Sequence, residues 1–562
     1  MAKSPLFAKL QDALRRSPQH QAFNARRREF MASALATASA SLSAGLLGCS
    51  SGDSEAEAPD EKPAAVDPKD ERVLVIGAGM AGLHCAYRLK QAGVDVHLYE
   101  ASDRAGGRMF TGRGLFPNKQ VCELGGEFID SNHRFMLGLV EEFGLQLRDR
   151  SEYLPEGTAL DTWFVSGKVI AESQIVEQFE QVAGQILADL EAADSDDDEY
   201  TRLDETSLAT YLAKVVPKKR YPELHAVLDS AYRGEFGLET SEQSSLNLIY
   251  LIDAETADPF RIFGDSDERY HVVGGNDGLT AALASELSAE LTLGRRLIGA
   301  TKAPNGFRVA FSSGDNKQTE VSCERIVFAL PFTTLRGVAL EGLELSESKL
   351  EIIDQLGYGT NAKIMGGFSS PVWRNQHQAS GSATTDLPLL QQVWDSSLGQ
   401  PGSHAILTHF VSGEQGALSG EGSAEEWYAA RLDDLDAVFP GAKAEYLEDS
   451  AVRMHWPSNK NTLGSYACYK PGQWAYWGTE GLPEGKVHFC GEHTSAEFQG
   501  WMEGAAETGG RVAVEILNAL KLPLPKALKA LVDDETALPD QMLKFASWRF
   551  PRRAWRALRT RP

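Results

Sequence analysis

Cysteine is scarce and scattered. Six residues in 562 (Cys49, Cys85, Cys122, Cys323, Cys468 and Cys490) form no CxxC pair and no metal-like spacing. That excludes a disulfide framework or a zinc site as the organising device. Positive charge is also in short supply: 55 Lys and Arg stand against 79 Asp and Glu, a net charge of −24. With no cationic excess to neutralise phosphates, nucleic acid is not an expected partner; solubility is the plain reading of the acidity. Long apolar runs are missing too. The Ala-, Ser- and Leu-rich stretch ending at Gly48 is too short and too mildly apolar to make a membrane span. What remains is ordinary for a globular chain, with 42% hydrophobic and 24% charged residues. Its length predicts two or more domains.

One stretch organises the rest: Val73 to Glu100, VLVIGAGMAGLHCAYRLKQAGVDVHLYE. An apolar run meets Gly77, Gly79 and Gly82, a helical pattern opens with Ala81 and Leu83, and a second apolar run closes on Glu100. A dinucleotide site needs this order. Gly77 permits the tight turn, Gly79 lets main-chain N–H groups approach a pyrophosphate, and Gly82 lets helix and strand pack closely. The helix N-terminus offers its positive end to the phosphates, and Glu100 can accept from a ribose.

Upstream, Arg27-Arg28-Glu29-Phe30-Met31 resembles a twin-arginine export signal, and Leu46-Leu47-Gly48-Cys49 resembles a lipobox. The expectation is a signal peptide over 1–48, with lipidation of Cys49 as a membrane anchor or, alternatively, ordinary cleavage near Ala40. Residues 49–71, rich in Ser, Ala, Glu, Asp and Pro, read as a disordered tether. The protein would then be periplasmic or held at the cell envelope.

Downstream of Glu100, four further motifs follow: Gly106-Gly107-Arg108, Glu123-Leu124-Gly125-Gly126, Ile326-Val-Phe-Ala-Leu-Pro331, and Gly491-Glu492 with Gln499-Gly-Trp501-Met502. In this order they resemble the flavin-containing amine oxidase family, which includes monoamine, polyamine and L-amino acid oxidases. The resemblance implies an α/β chain with a discontinuous Rossmann-like FAD-binding domain and an interleaved α+β substrate domain. FAD-binding segments would cover 72–131, 271–344 and 461–520; substrate segments would cover 132–270, mainly helical, and 345–460, an antiparallel sheet. It also implies cofactor contacts at Gly77, Gly79, Ala81, Gly82, Glu100, Arg108, Leu124, Gly125, Gly126, Leu297, Gly491, Glu492, Trp501 and Met502. Ser102 stands where monoamine oxidases often carry a further arginine. The acidic insert 194–199 reads as a solvated loop.

Three positions match the family's reacting groups. Lys363 aligns with the lysine that holds a water at the flavin, while Tyr466 and Trp501 align with the aromatic pair that flanks the amine. Rings there exclude water and present electron-rich faces to nitrogen. Ser465 occupies the place of the cysteine that binds flavin covalently in monoamine oxidases, so FAD should be non-covalent. Glu127 and Asp130 lie where an arginine would grip the carboxylate of an amino acid; they could hold a distal ammonium or bond only to main chain or flavin. The implied activity is oxidation of a primary amine or diamine to an imine, which water hydrolyses, with O2 or a periplasmic acceptor taking the electrons. An L-amino acid oxidase is the alternative and would need an arginine from elsewhere, Arg233 or Arg374 being candidates. The tail 521–562 turns basic and aromatic from Gln541, with six Arg and one Lys and no acid. It suits an anionic membrane surface, or docking on this acidic body or on a second subunit in a homodimer.

Overall fold

The computed structural model describes residues 71–533, apart from 253–261, 264–265 and 316. The expected signal segment, Cys49, the tether up to residue 70 and the basic tail from 541 lie outside the described residues. Among those described, no helix is long and apolar enough to cross a membrane.

The cofactor half is built on a five-stranded parallel sheet. Its strand order is Val487–Phe489, Arg325–Phe328, Arg72–Ile76, Asp95–Tyr99, Leu291–Thr292. The central strand reads as a continuous apolar run because both its faces are covered. Val73 and Val75 pack toward the helices Met80–Gln91 and Met502–Ala519. Leu74 and Ile76 pack toward a three-stranded antiparallel sheet formed by Arg296–Ala303, Gly306–Ser312 and Gln318–Cys323. The two helices meet through glycine: a side chain at Gly509 would come within 2.3 Å of the Ala81 carbonyl. Three neighbouring strands, Val487–Phe489, Arg325–Phe328 and the central Arg72–Ile76, are drawn together partly by Glu71, whose carboxylate accepts from Arg325 Nε at 2.6 Å and Lys486 Nζ at 2.7 Å.

The other half is a seven-stranded sheet covered by helices. Its order is Val452–His455, Ala362–Phe368, Ala405–Val411, Gln392–Asp395, Ala383–Thr385, Thr162–Val165, Lys168–Ile170, antiparallel except where Ala383–Thr385 meets Thr162–Val165. Five helices between Glu172 and Phe236 share one core with Trp163 and Val165, while Phe164 points into the sheet's opposite core. Segment 132–270 therefore holds more than helices. Thr162–Val165 is a β-branched and aromatic run followed by Ser166-Gly167, both with positive φ (54° and 77°), which suits a tight hairpin.

Two further expectations change. The acidic insert is not a loop: Asp196 caps a helix, Asp197–Glu205, accepting from the N–H groups of Asp198 and Glu199. Acids clustered in a first turn are stabilised by the helix dipole, so the charge run is a helix start that remains solvated. The segment after 520 is not all tail either. Lys526–Asp533 is a helix with Leu528 fully buried, and Leu531 lies against Gly138 of the helix Arg134–Glu142. That second helix is held from the cofactor side, since the Glu503 carboxylate accepts from Phe135 N and Met136 N, both at 2.8 Å.

Candidate active site

A cavity of about 680 Å³ reaches from Glu100 and Leu297 to Tyr466 and Glu235. At the first end Gly77, Gly79, Gly106 and Gly107 bring main chain into the wall, beside Glu100, Arg104 and Leu297. Gly77 has φ 104° and turns the strand beneath the helix; any Cβ there would press to 2.5 Å from the Ala329 carbonyl. A Cβ on Gly82 would lie 1.9 Å from Gly77 O, so only glycine lets this helix start where it does. Around Gly79, by contrast, the space is open, with only Gly107 Cα at 4.0 Å. The GGR segment is knitted to this turn, Gly106 N donating to Ala78 O at 2.8 Å. Glu100 fastens the same corner, accepting from Ala78 N, Ser102 N and the Ser102 hydroxyl, each at 2.8 Å. Ser102 thus does local work in place of the arginine expected there. Leu297 lines the cavity beside a β-bulge between itself and Gly299, a device that re-aims backbone next to binding sites.

Midway, Arg108 donates to Glu492 at 2.8 Å and to the Ser465 carbonyl at 2.6 Å. Glu492 also accepts from Gly500 N at 2.8 Å, which fixes the approach to the helix Met502–Ala519. Gly125 and Gly126 sit under this point: Gly126 N donates to Arg108 O, and a Cβ on Gly126 would strike Met502 at 2.7 Å. Leu124 is buried, and its carbonyl accepts from Trp456 Nε1.

The far end is made of side chains. Tyr466 and Trp501 line the same space; the Tyr466 hydroxyl donates to Gly234 O at 3.1 Å, and Trp501 packs edge-on to His133 at 5.3 Å between centroids. Burial holds the Tyr466 phenol well above its ordinary value, so it stays protonated. Phe128, Trp394 and Phe410 make an aromatic wall, with centroids 5.6 Å and 5.1 Å apart in turn. Lys363, on the buried strand Ala362–Phe368, reaches the cavity with its ammonium donating to Glu127 Oε2 at 2.7 Å, Gly125 O at 2.7 Å and Glu123 O at 3.1 Å.

The two acids singled out beside the Gly-Gly turn part company. Glu127 lines the cavity but is already paired with Lys363. Asp130 does not line it: the carboxylate is turned away, accepting from Glu268 N at 2.7 Å and facing His133 Nε2 at 3.4 Å. Asp130 is therefore corrected from a substrate contact to a buried anchor of its own loop, where main-chain and imidazole partners compensate its lost hydration. The residues that sequence reasoning missed are Asp161 and Glu235, which line the cavity. Burial and the Glu268 charge push Asp161 up to about 6 and Glu235 up to about 8. Glu235 is close enough to Tyr466 to raise its phenol further. Arg233 and Arg374 are spent elsewhere: Arg233 Nε pairs with Glu239 at 2.8 Å, Arg374 with Asp395 at 2.9 Å, and neither lines the cavity.

A model for flavin-containing amine oxidoreductases matches residues 80–517, well over half of the chain. The protein belongs to this family. As a flavin-containing amine oxidoreductase it is similar to an L-amino-acid oxidase of Mus musculus, 27% identical over 463 residues (80% of this chain, 71% of that one). It is also 26% identical over 466 residues to a putative L-amino-acid oxidase, YobN, of Bacillus subtilis (79% and 94%). Its fold is that of putrescine oxidase, solved with putrescine bound: TM-score 0.68 at 21% identity, covering 80% of this chain and 99% of that one.

The cavity fits the family's cofactor. Its open space at Gly79 suits a pyrophosphate against bare backbone, and Glu100 suits a ribose. No cysteine lines it among the described residues. Cys468 is fully buried, its sulfur within 3.7 Å of Asn247 Nδ2, and burial raises the thiol well above its ordinary value. The Ser465 hydroxyl donates to Asn361 at 2.6 Å. FAD is therefore held without a covalent thioether.

Proposed function

We propose that this enzyme oxidises a primary amine carrying a second cationic group, a diamine or polyamine, and that O2 is the electron acceptor. The overall reaction is R–CH2–NH2 + O2 + H2O → R–CHO + NH3 + H2O2. FAD, when bound, supplies the two-electron oxidation and the onward transfer to O2. The chain's residues supply the setting. Tyr466, Trp501 and the Phe128–Trp394–Phe410 wall exclude water, which favours the neutral, reactive form of the amine. Lys363 places one fixed positive charge in the wall, where it can hold a water or a developing negative charge. Asp161 and Glu235 face the same space and offer charge-assisted acceptors to a distal ammonium.

The observation that carries this reading is the pair Asp161 and Glu235 at the Tyr466 end, together with Arg233 and Arg374 paired outside the cavity. An L-amino acid is the second reading, favoured by the activities named for the mouse and Bacillus relatives. Of the cations lining the cavity, Lys363 is already engaged by Glu127 and Arg108 by Glu492. Anaerobic titration of the holoenzyme with benzylamine, 1,4-diaminobutane, spermidine and a set of L-amino acids tests both. Bleaching of the flavin band fastest by 1,4-diaminobutane or spermidine is expected; bleaching by amino acids alone would overturn the proposal. Acid precipitation should leave the yellow colour in the supernatant.

Export by the twin-arginine route and anchoring at Cys49 belong to the same proposal, supported by the Arg27-Arg28 motif and the Leu46–Cys49 sequence. Replacing Arg27 and Arg28 with Lys should retain the protein in the cytoplasm, and Cys49→Ala should abolish incorporation of labelled palmitate.

A further inference from the structure

We infer that Glu127 is the positioning residue of Lys363 and does not contact substrate. The inference rests on Lys363 serving the amine-oxidising site. Lys363 is 5% exposed and Glu127 also 5%, so both charges have left water, and neither is tolerable alone at that depth. The Lys363 ammonium is enclosed on every side that the chain supplies: Glu127 Oε2 at 2.7 Å, the carbonyls of Gly125 and Glu123, and the Trp394 ring at 5.3 Å. Of these only Glu127 carries a charge. Its other oxygen accepts from the Ser396 hydroxyl at 2.8 Å, and Ser396 Oγ lies 2.6 Å from Thr408 Oγ1. Both Glu127 oxygens are thus occupied, one by the lysine and one by a hydroxyl pair rooted in the seven-stranded sheet. Each oxygen keeps a second lone pair, but the carboxylate is already matched by the lysine, so a substrate ammonium would have to compete with that pair, while the pair fixes the lysine in direction. The longest of the three Nζ bonds, to Glu123 O, is the one a water can displace without breaking the ion pair.

The test uses full-length holoenzyme carrying Glu127→Gln, Lys363→Met and both together, with 1,4-diaminobutane and benzylamine as substrates. Positioning predicts that Glu127→Gln lowers kcat about tenfold or more while KM for either amine stays within about threefold, and that Lys363→Met does the same. The double variant should be no slower than the slower single variant. A rise in KM for 1,4-diaminobutane but not benzylamine, or rate losses that multiply, would overturn the inference. Melting temperature supplies a readout apart from turnover. Each single variant should melt lower than wild type, and the double variant should recover part of the loss, because no unpaired buried charge remains. Additive losses in melting temperature would contradict the coupling. Ser396→Ala, which leaves the ion pair intact, guards against misfolding of the others; kcat should fall a few-fold at unchanged KM, and an unchanged kcat counts against the inference. Unaltered turnover in Lys363→Met with melting temperatures still coupled would instead overturn the role given to Lys363 and leave the pairing itself established.

Discussion

At the Glu100 end of the cavity a cluster of glycines, Gly77, Gly79, Gly106 and Gly107, brings main chain into the wall, whereas the Tyr466 end is set by aromatic and charged side chains. The first end tolerates no substitution at Gly77 or Gly82, because the space a Cβ would need is filled by carbonyl oxygens. The second is assembled from residues as far apart in sequence as Glu127, Asp161, Glu235, Lys363, Trp394, Tyr466 and Trp501. Backbone recognition suits a ligand that never changes. Side-chain recognition can be altered one residue at a time without disturbing the chain's course. The difference predicts that substitutions at the two ends fail differently.

The largest effect is expected from Gly82→Ala. Its methyl would lie 1.9 Å from Gly77 O, and FAD titrated into the apoprotein should bind at least about 100-fold more weakly, if the variant folds. Near-normal FAD affinity would break the comparison. Glu235→Gln comes next. At pH 9, where burial no longer keeps this carboxyl protonated, the change should leave FAD affinity unchanged but lower kcat/KM for 1,4-diaminobutane about 10- to 100-fold, with benzylamine within about threefold, since one charged partner of the distal ammonium is lost.

Solution pH sharpens the same contrast. Asp161 and Glu235 are pushed up to about 6 and about 8, so the two are ionised together only at alkaline pH. The preference for 1,4-diaminobutane over benzylamine should therefore grow as pH rises from 6 to 9, and Glu235→Gln should remove the upper part of that rise. A ratio independent of pH would count against these acids as the cation's partners.

The smallest effect concerns stability. Burial pushes Glu507, in the helix that floors the cavity, up to about 8, with the Glu497 and Glu503 charges adding to the shift. A carboxyl raised in the folded state binds a proton that the unfolded chain, near 4.5, has lost. Its contribution is present below about 4.5 and is lost as pH climbs through about 8. Glu507→Gln should raise the melting temperature at pH 8 by about 2 °C or more and leave it unchanged at pH 4.5.

Sequence reasoning reached the main-chain end more fully than the other. Gly77, Gly79 and Gly82 announce themselves because no other residue satisfies their geometry, and the turn they make is local in the chain. Lys363, Tyr466 and Trp501 could be found only through family resemblance, although the fold does bring them to one cavity. Asp161 and Glu235 had no signal at all. Glu235 is the penultimate residue of the helix Pro222–Phe236, where a glutamate looks like any solvent-facing residue until the opposite wall is in place. Asp130 misled for the converse reason: Glu127, three residues before it, faces the cavity, while Asp130 turns to Glu268 N and His133. The hairpin at Thr162–Val165 escaped because four strand residues are a weak pattern among five helices.

The Glu71 carboxylate has a consequence in time. It joins residues 254 and 415 positions away along the chain, to Arg325 and Lys486. The edge strand Val487–Phe489, and Gly491 and Glu492 beyond it, must therefore have left the ribosome before the cavity has a closed wall. Until then the first βαβ unit is a half-built socket whose apolar strand faces lack their covers, a state that folds slowly and aggregates readily. A cell short of FAD should therefore accumulate complete but loosely closed protein rather than truncated intermediates.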